Sequence, residues 1–196
     1  MEDPLLHELA VIMEACDRRG VSVFVIGAFS VRAYGSLLRR TLDLDLAVKR
    51  EDWPALAEVL KARGYSLESM GIWTTARKGR GEDAVEIHIA LDNVTDVHSA
   101  LSYPVRVDPG ARQPVPGLGV TLPVFSLEGL LITKLIALRD NDVVDIVTLL
   151  VQHADCLIAG KFWERAIAAG LEEALQGRLD TLDEMLESGE VGVIWW

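Results

Sequence analysis

Basic residues are scarce in this chain. Nineteen Lys and Arg against thirty Asp and Glu leave a formal net charge of −11. That balance argues against a surface coated in positive charge, on which duplex or RNA binding usually relies to neutralise phosphates, although it leaves room for a local basic patch. Cysteine is nearly missing: Cys16 and Cys156 lie far apart with no CxxC partner, which excludes a disulfide scaffold and suits a reducing cytosol. The chain has no apolar run near the ~18 residues of a membrane span. Its acidic start, MEDPLLHELA, lacks the basic segment of a secretion signal. The expectation is a cytoplasmic protein with no membrane association. Internal repeats and low-complexity tracts are absent too, and His7, His98 and His153 show no metal-binding spacing.

What is present is half hydrophobic and a quarter charged over 196 residues, enough to bury a real core. Leu5, Leu6, Leu9, Ile12, Met13 and Cys16 recur at helical spacing, and Gly20 supplies a stop. A β-branched run at Val21–Ile26 predicts a buried strand, followed by a turn into a helix reaching about Leu38. A strand around Asp43 and Asp45 comes next, then a helix opened by Asp52 and Pro54 and closed by Gly64. Strands are expected at Tyr65–Met70, Trp73–Arg77 and Ala84–Leu91. Between Asp108 and Pro123 stand four of the seven prolines, which predicts a connection with one short strand around Gly119–Leu122. Helices are expected at Leu127–Leu138, Val143–His153, Phe162–Ala169, Leu171–Leu175 and Leu179–Glu187. The reading is α/β (α+β): a mixed sheet backed by helices over residues 1–107, a connection over 108–125, and a helical region over 126–196 packed on the core. Trp195 and Trp196 could pack on that region or serve an interface.

The most informative stretch is VFVIGAFSVRAYGSLLRRTLDLDLAV. Asp43 and Asp45 alternate with Leu42, Leu44 and Leu46, so on a strand both carboxylates project from one face. Their Cα atoms would lie roughly 7 Å apart, within reach of one Mg²⁺ or a pair. Phosphoryl transfer needs metal ions to neutralise triphosphate charge and align attacking and leaving oxygens, and hard divalent ions prefer carboxylate oxygens. Solvated acids on a half-buried strand give the same pattern. Gly27 fits a turn without a Cβ opening a helix, through which a triphosphate is approached, and fits a plain tight turn equally.

The segment GAFSVRAYGSLLRRTLDLDLAV resembles the signature of nucleotidyltransferases of the DNA polymerase beta superfamily: a small-residue turn, a helix, then hDhDh on the next strand. It is most similar to the small bacterial branch containing the AbiEii-type abortive-infection toxins. SLEGLLITKLIALRDNDVVDIVTLL resembles that branch's helix pair, in which a lysine is followed by an arginine and D-x-x-D. The two segments cover about a quarter of the chain. The resemblance implies a nucleotidyltransferase fold and Mg²⁺- or Mn²⁺-dependent transfer of a nucleoside monophosphate from an NTP to an acceptor hydroxyl of RNA, protein or a small molecule. A catalytically degenerate binding module with a protein partner, and a toxin of a toxin–antitoxin pair acting on tRNA, are the alternatives.

By the same resemblance, Asp43 and Asp45 hold metal and Glu86 is the third carboxylate. In VEIHIAL, Glu86 and His88 share the face opposite the apolar residues, where a solvated acid is as well accommodated, and His88 reads as a surface histidine. Gly27, Ala28, Ser30 and Lys134 are implied phosphate contacts, with Ala28 standing where the family has glycine or serine. Lys134 could also snorkel to solvent. Arg40 and Thr41 fit a phosphate contact or a fastened turn. Asp142 and Asp145 divide between active-site roles and a helix start, with Asp142 as N-cap and Asp145 in the first turn.

Overall fold

The computed structural model describes residues 4–35, 41–81, 84–115 and 120–189, apart from the side chain of Met70. The expected role of Arg40, and Trp195 and Trp196, lie outside them, and the second helix, expected to reach about Leu38, ends at Ala33 with Tyr34 as its C-cap. The chain opens with α1 (Pro4–Arg19), β1 (Val23–Ile26), α2 (Gly27–Ala33), β2 (Asp43–Val48) and α3 (Trp53–Ala62). It continues with β3 (Ser66–Met70), β4 (Trp73–Lys78), β5 (Val85–Leu91), β6 (Asn93–Thr95), β7 (Ser102–Pro104), β8 (Ala111–Pro114) and β9 (Thr121–Val124). Four helices complete it: α4 (Leu127–Ala137), α5 (Asp140–His153), α6 (Ala159–Ala168) and α7 (Glu172–Ser188).

Seven strands form one mixed sheet in the order β3-β4-β5-β2-β1-β9-β8, and β6 pairs with β7 separately. The sheet explains the apolar periodicity. β2 sits between β5, to which it is parallel, and β1, to which it is antiparallel. Leu44, Leu46, Ala47 and Val48 are accordingly fully buried, as a central strand requires. On α1, Leu6, Leu9, Ile12, Met13 and Cys16 form the buried stripe. The same hydrophobic cluster takes in Leu131, Ile132, Leu149, Leu175 and Leu182 from the later helices.

Other segments differ from the sequence expectation as well. The proline-rich connection contains a hairpin, β8–β9, in which β9 pairs parallel with β1 and β8 forms the sheet's edge. Pro114 is compatible with this because β8 has one side without ladder bonds, and β9 pairs with β1 at Val124 rather than at Pro123. A second unexpected hairpin, β6–β7, sets the wall of a cleft described below. The two short helices expected after Gly170 are one, α7, which runs through Gly177; a single exposed glycine costs a helix only about 1 kcal/mol, and Leu175 and Leu182 pin it on either side.

Candidate active site

β2 presents Asp43 and Asp45 on one face while Leu44 and Leu46 go into the core. The neighbouring strands bring their partners by register. Ile26 lies opposite Asp45 on β1, and Gly27 follows immediately with φ +64°. A Cβ at Gly27 would stand 2.0 Å from Asp45 Oδ2, so this position needs glycine for both its conformation and the carboxylate's approach. On the other side, Glu86 lies opposite Asp43 and His88 opposite Asp45. Thr41 donates its hydroxyl to Asp43 Oδ1 at 2.7 Å, fixing that carboxylate from the preceding loop.

His88 is the junction of the acidic face. Its Nδ1 is 3.4 Å from Asp45 Oδ1 and 3.5 Å from Asp43 Oδ2, and its Nε2 is 2.9 Å from Glu86 Oε1. The hydrogen bond to Asp45 raises its pKa most; partial burial opposes this, Glu86 adds to it, and the result is about 9. The imidazolium is then the countercharge to the two aspartates at neutral pH. Glu86 is itself held below the ordinary carboxylate range by Arg77 first and His88 second. Arg77 reaches it with Nε at 2.9 Å and Nη2 at 3.3 Å.

One oxygen each from Asp43 and Asp45 and one His88 nitrogen lie within 4.8 Å of one another. Opposite ligands of one octahedral ion at about 2.1 Å stand about 4.2 Å apart, so this donor set fits a divalent cation with small adjustment. Glu86 is not within that group.

The second cluster sits on α4 and α5. Leu138 takes a left-handed conformation, φ 46°, that ends α4 and lets α5 begin two residues later. Across this turn Lys134 Nζ meets Asp142 Oδ1 at 2.9 Å and Asp145 Oδ2 at 2.7 Å, all three side chains being buried. Arg139 is the N-cap residue of α5, and Asp142, at the third helical position, accepts from its backbone N–H at 3.3 Å and from its Nε at 3.0 Å. Asp142 is therefore not the N-cap expected from sequence, because the tight turn starts the helix at Asp140; Asp145 falls in the second turn rather than the first.

The two clusters face a cleft of about 470 Å³, within the range of small-ligand sites. Gly27, Ala28, Thr41, Asp43, Asp45 and His88 line one wall, Lys134, Arg139, Asn141 and Asp142 another, and Trp73, Val94, Asp96 and Val97 are among the remaining lining residues. Ser30 is not brought there. Its side chain is fully buried, and its hydroxyl meets no hydrogen-bond partner among the described residues. Glu86 and Asp145 stand behind the wall, one step from it through His88 and Lys134.

Sequence reasoning passed over His88 as a site residue, did not pick out Trp73, Asp96 or Asn141, and gave Arg139 a place in the helix-pair motif without a role. His88 carried a signal, since it shares a strand face with Glu86; the other four are assembled by β4, the β6–β7 hairpin and the α4–α5 turn, which sequence spacing does not bring together.

Residues 3–187 match the sequence family described as an uncharacterised nucleotidyltransferase. The chain belongs to this nucleotidyltransferase family. The match shows an enzyme class and a superfamily, without singling out the AbiEii-type branch. No curated protein matches in sequence. Among solved structures, the antibiotic-resistance factor ANT(2'')-Ia is similar at 17% identity, TM-score 0.51, over 94% of this chain and 96% of that one. The lincosamide antibiotic adenylyltransferase LnuA, solved with lincomycin, is similar at 17% identity and TM-score 0.52, over 76% and 96%. At these identities the likeness is one of fold, and it agrees with the mixed sheet backed by helices found here. No helix among the described residues is long and apolar enough to cross a membrane.

Proposed function

We propose that this nucleotidyltransferase moves a nucleoside monophosphate from an NTP to an acceptor hydroxyl in the cleft between β2 and the α4–α5 turn, releasing pyrophosphate. The observation that carries the reading is the convergence of Asp43 and Asp45 with Gly27 at one point of the cleft. Asp43 and Asp45 hold a divalent cation, Mg²⁺ or Mn²⁺, which neutralises the triphosphate and draws the pKa of the attacking hydroxyl down when bound. Gly27 and Ala28 allow phosphate to approach the backbone closely, and Thr41 keeps Asp43 aimed into the cleft. Of the two cations on the opposite wall, Lys134 is committed to Asp142 and Asp145, whereas Arg139 binds Asp142 through Nε and keeps a largely exposed guanidinium. Arg139 is therefore the main phosphate contact on that side, and Lys134 with its acids shapes the wall that presents it.

Carboxylates at Asp43, Asp45, Asp96 and Asp142 around the cleft, with the net charge of −11, favour a neutral or cationic small-molecule acceptor over tRNA. They count against the toxin reading, which growth arrest on expression, abolished by Asp45→Ala, would restore. Ala28 in place of a second glycine or a serine is the feature that favours a binding module. Metal-dependent NTP binding by calorimetry, followed by pyrophosphate release over a panel of acceptors, separates the two. Transfer should disappear in Asp43→Ala, with thermal unfolding within about 0.5 kcal/mol of wild type because this side chain is partly exposed. Wild-type turnover in that variant would sink the assignment.

A further inference from the structure

We propose that His88, through Nδ1, is the third protein ligand of the divalent ion held by Asp43 and Asp45, that Glu86 and Arg77 orient it, and that this nitrogen donor makes the site select Mn²⁺ over Mg²⁺. The proposal rests on the metal-dependent reading above and adds to it which residues hold the ion and which ion they prefer.

The geometry divides the work between the two rising residues of β5. Glu86 lies opposite Asp43 in register, but its carboxylate is taken by Arg77 at 2.9 and 3.3 Å and by His88 Nε2 at 2.9 Å. An ionised carboxylate only accepts hydrogen bonds, so Nε2 is the ring nitrogen that carries the proton toward Glu86. Without metal Nδ1 also carries a proton toward Asp43 and Asp45; a divalent ion held by the two aspartates would displace that proton and take the lone pair of Nδ1, while the Nε2 proton stays on Glu86. A carboxylate fixing the far side of a histidine whose near side faces a cation is the arrangement by which metal-bound histidines are oriented and made better donors. Arg77 extends the chain by one link, holding Glu86 with a two-pronged grip.

The donor set has a consequence for the choice of ion. Mg²⁺ binds reluctantly to anything but oxygen, whereas Mn²⁺ accepts carboxylates and, with the later first-row ions, tolerates imidazole. Two carboxylates and one imidazole therefore favour Mn²⁺ more than three carboxylates do.

Pulsed EPR of the full chain loaded with Mn²⁺ reads the claim directly, through the nitrogen-14 coupling of a coordinated imidazole. The coupling is expected in wild type and absent in His88→Ala, with tighter binding of Mn²⁺ than Mg²⁺ by calorimetry in wild type and a reduced preference in that variant. Glu86→Gln should keep the coupling while weakening Mn²⁺ binding about 10- to 100-fold, beyond what any fall in its thermal midpoint accounts for, which a purely structural role would not produce. Bound Mn²⁺ without nitrogen coupling in wild type, or equal Mn²⁺ affinity in His88→Ala, overturns the ligand assignment and leaves nucleotidyl transfer standing. Full affinity in Glu86→Gln overturns the orienting role, and a wild-type chain that binds no Mn²⁺ overturns the inference whole. Nitrogen coupling in an enzyme whose transfer survives Asp43→Ala would instead overturn the function proposed above.

Discussion

Replacing Lys134 by methionine should unfold this protein far more easily, by an amount the buried cluster allows to be worked out. Lys134, Asp142 and Asp145 are 6%, 7% and 5% exposed at the side chain, and the ammonium lies 2.9 and 2.7 Å from the two carboxylates. Removing one partner of such a buried ion pair costs about 3–5 kcal/mol, since the remaining charge is left in a poor solvent. Arg139 still reaches Asp142 at 3.0 Å, which places the expectation at the lower end, about 3 kcal/mol. In a chain of this length each kcal/mol moves the midpoint about 2–4 °C, so Lys134→Met should melt roughly 6–12 °C below wild type by circular dichroism. Adding Asp142→Asn and Asp145→Asn removes the stranded charges and should return much of that loss, because an ion cluster and a neutral replacement of similar shape differ little in net stability. A single variant melting within about 1 °C of wild type would refute the reasoning and make the lysine a free functional cation.

Gly27→Ala should lower stability by about 1–2 kcal/mol for the left-handed backbone alone, and its methyl, 2.0 Å from Asp45 Oδ2, should displace that carboxylate. Calorimetry should then find divalent-ion binding weakened beyond what the melting shift explains; unchanged binding would show that Asp45 moves freely. For Glu8, burial alone favours the neutral form, but hydrogen bonds from Lys78, Tyr65 and Arg63 outweigh it and lower the pKa below its ordinary 4.5. Its contribution is thus complete above about pH 4.5 and lost as pH falls through the lower folded-state value. Glu8→Gln should melt lower than wild type at pH 7 and converge with it on acidification; parallel curves would mean that the cluster contributes nothing.

Several features were legible in the chain because they depend on local pattern. The alternation of Asp43, Leu44, Asp45 and Leu46 can satisfy a central strand in only one way, with Leu44 and Leu46 inward. The helical stripes of α1 and α3 were equally explicit. Of the β8–β9 hairpin, β8 was hidden because an edge strand carries little apolar signal and prolines read locally as breaks. The start of α5 was misplaced because a leucine in the left-handed region has no sequence signature.

By itself, then, the sequence determined an α/β chain carrying two aspartates on one strand face behind a glycine turn, since strand period and the missing Cβ are properties of consecutive residues. Only the tertiary structure decided what surrounds them. Strand pairing across more than forty residues set His88 opposite Asp45, Arg77 drew Glu86 aside, the helix turn drew Lys134 onto two acids, and core packing took Ser30 away from the cleft. Each of these follows from long-range register and burial, for which spacing along the chain carries no information.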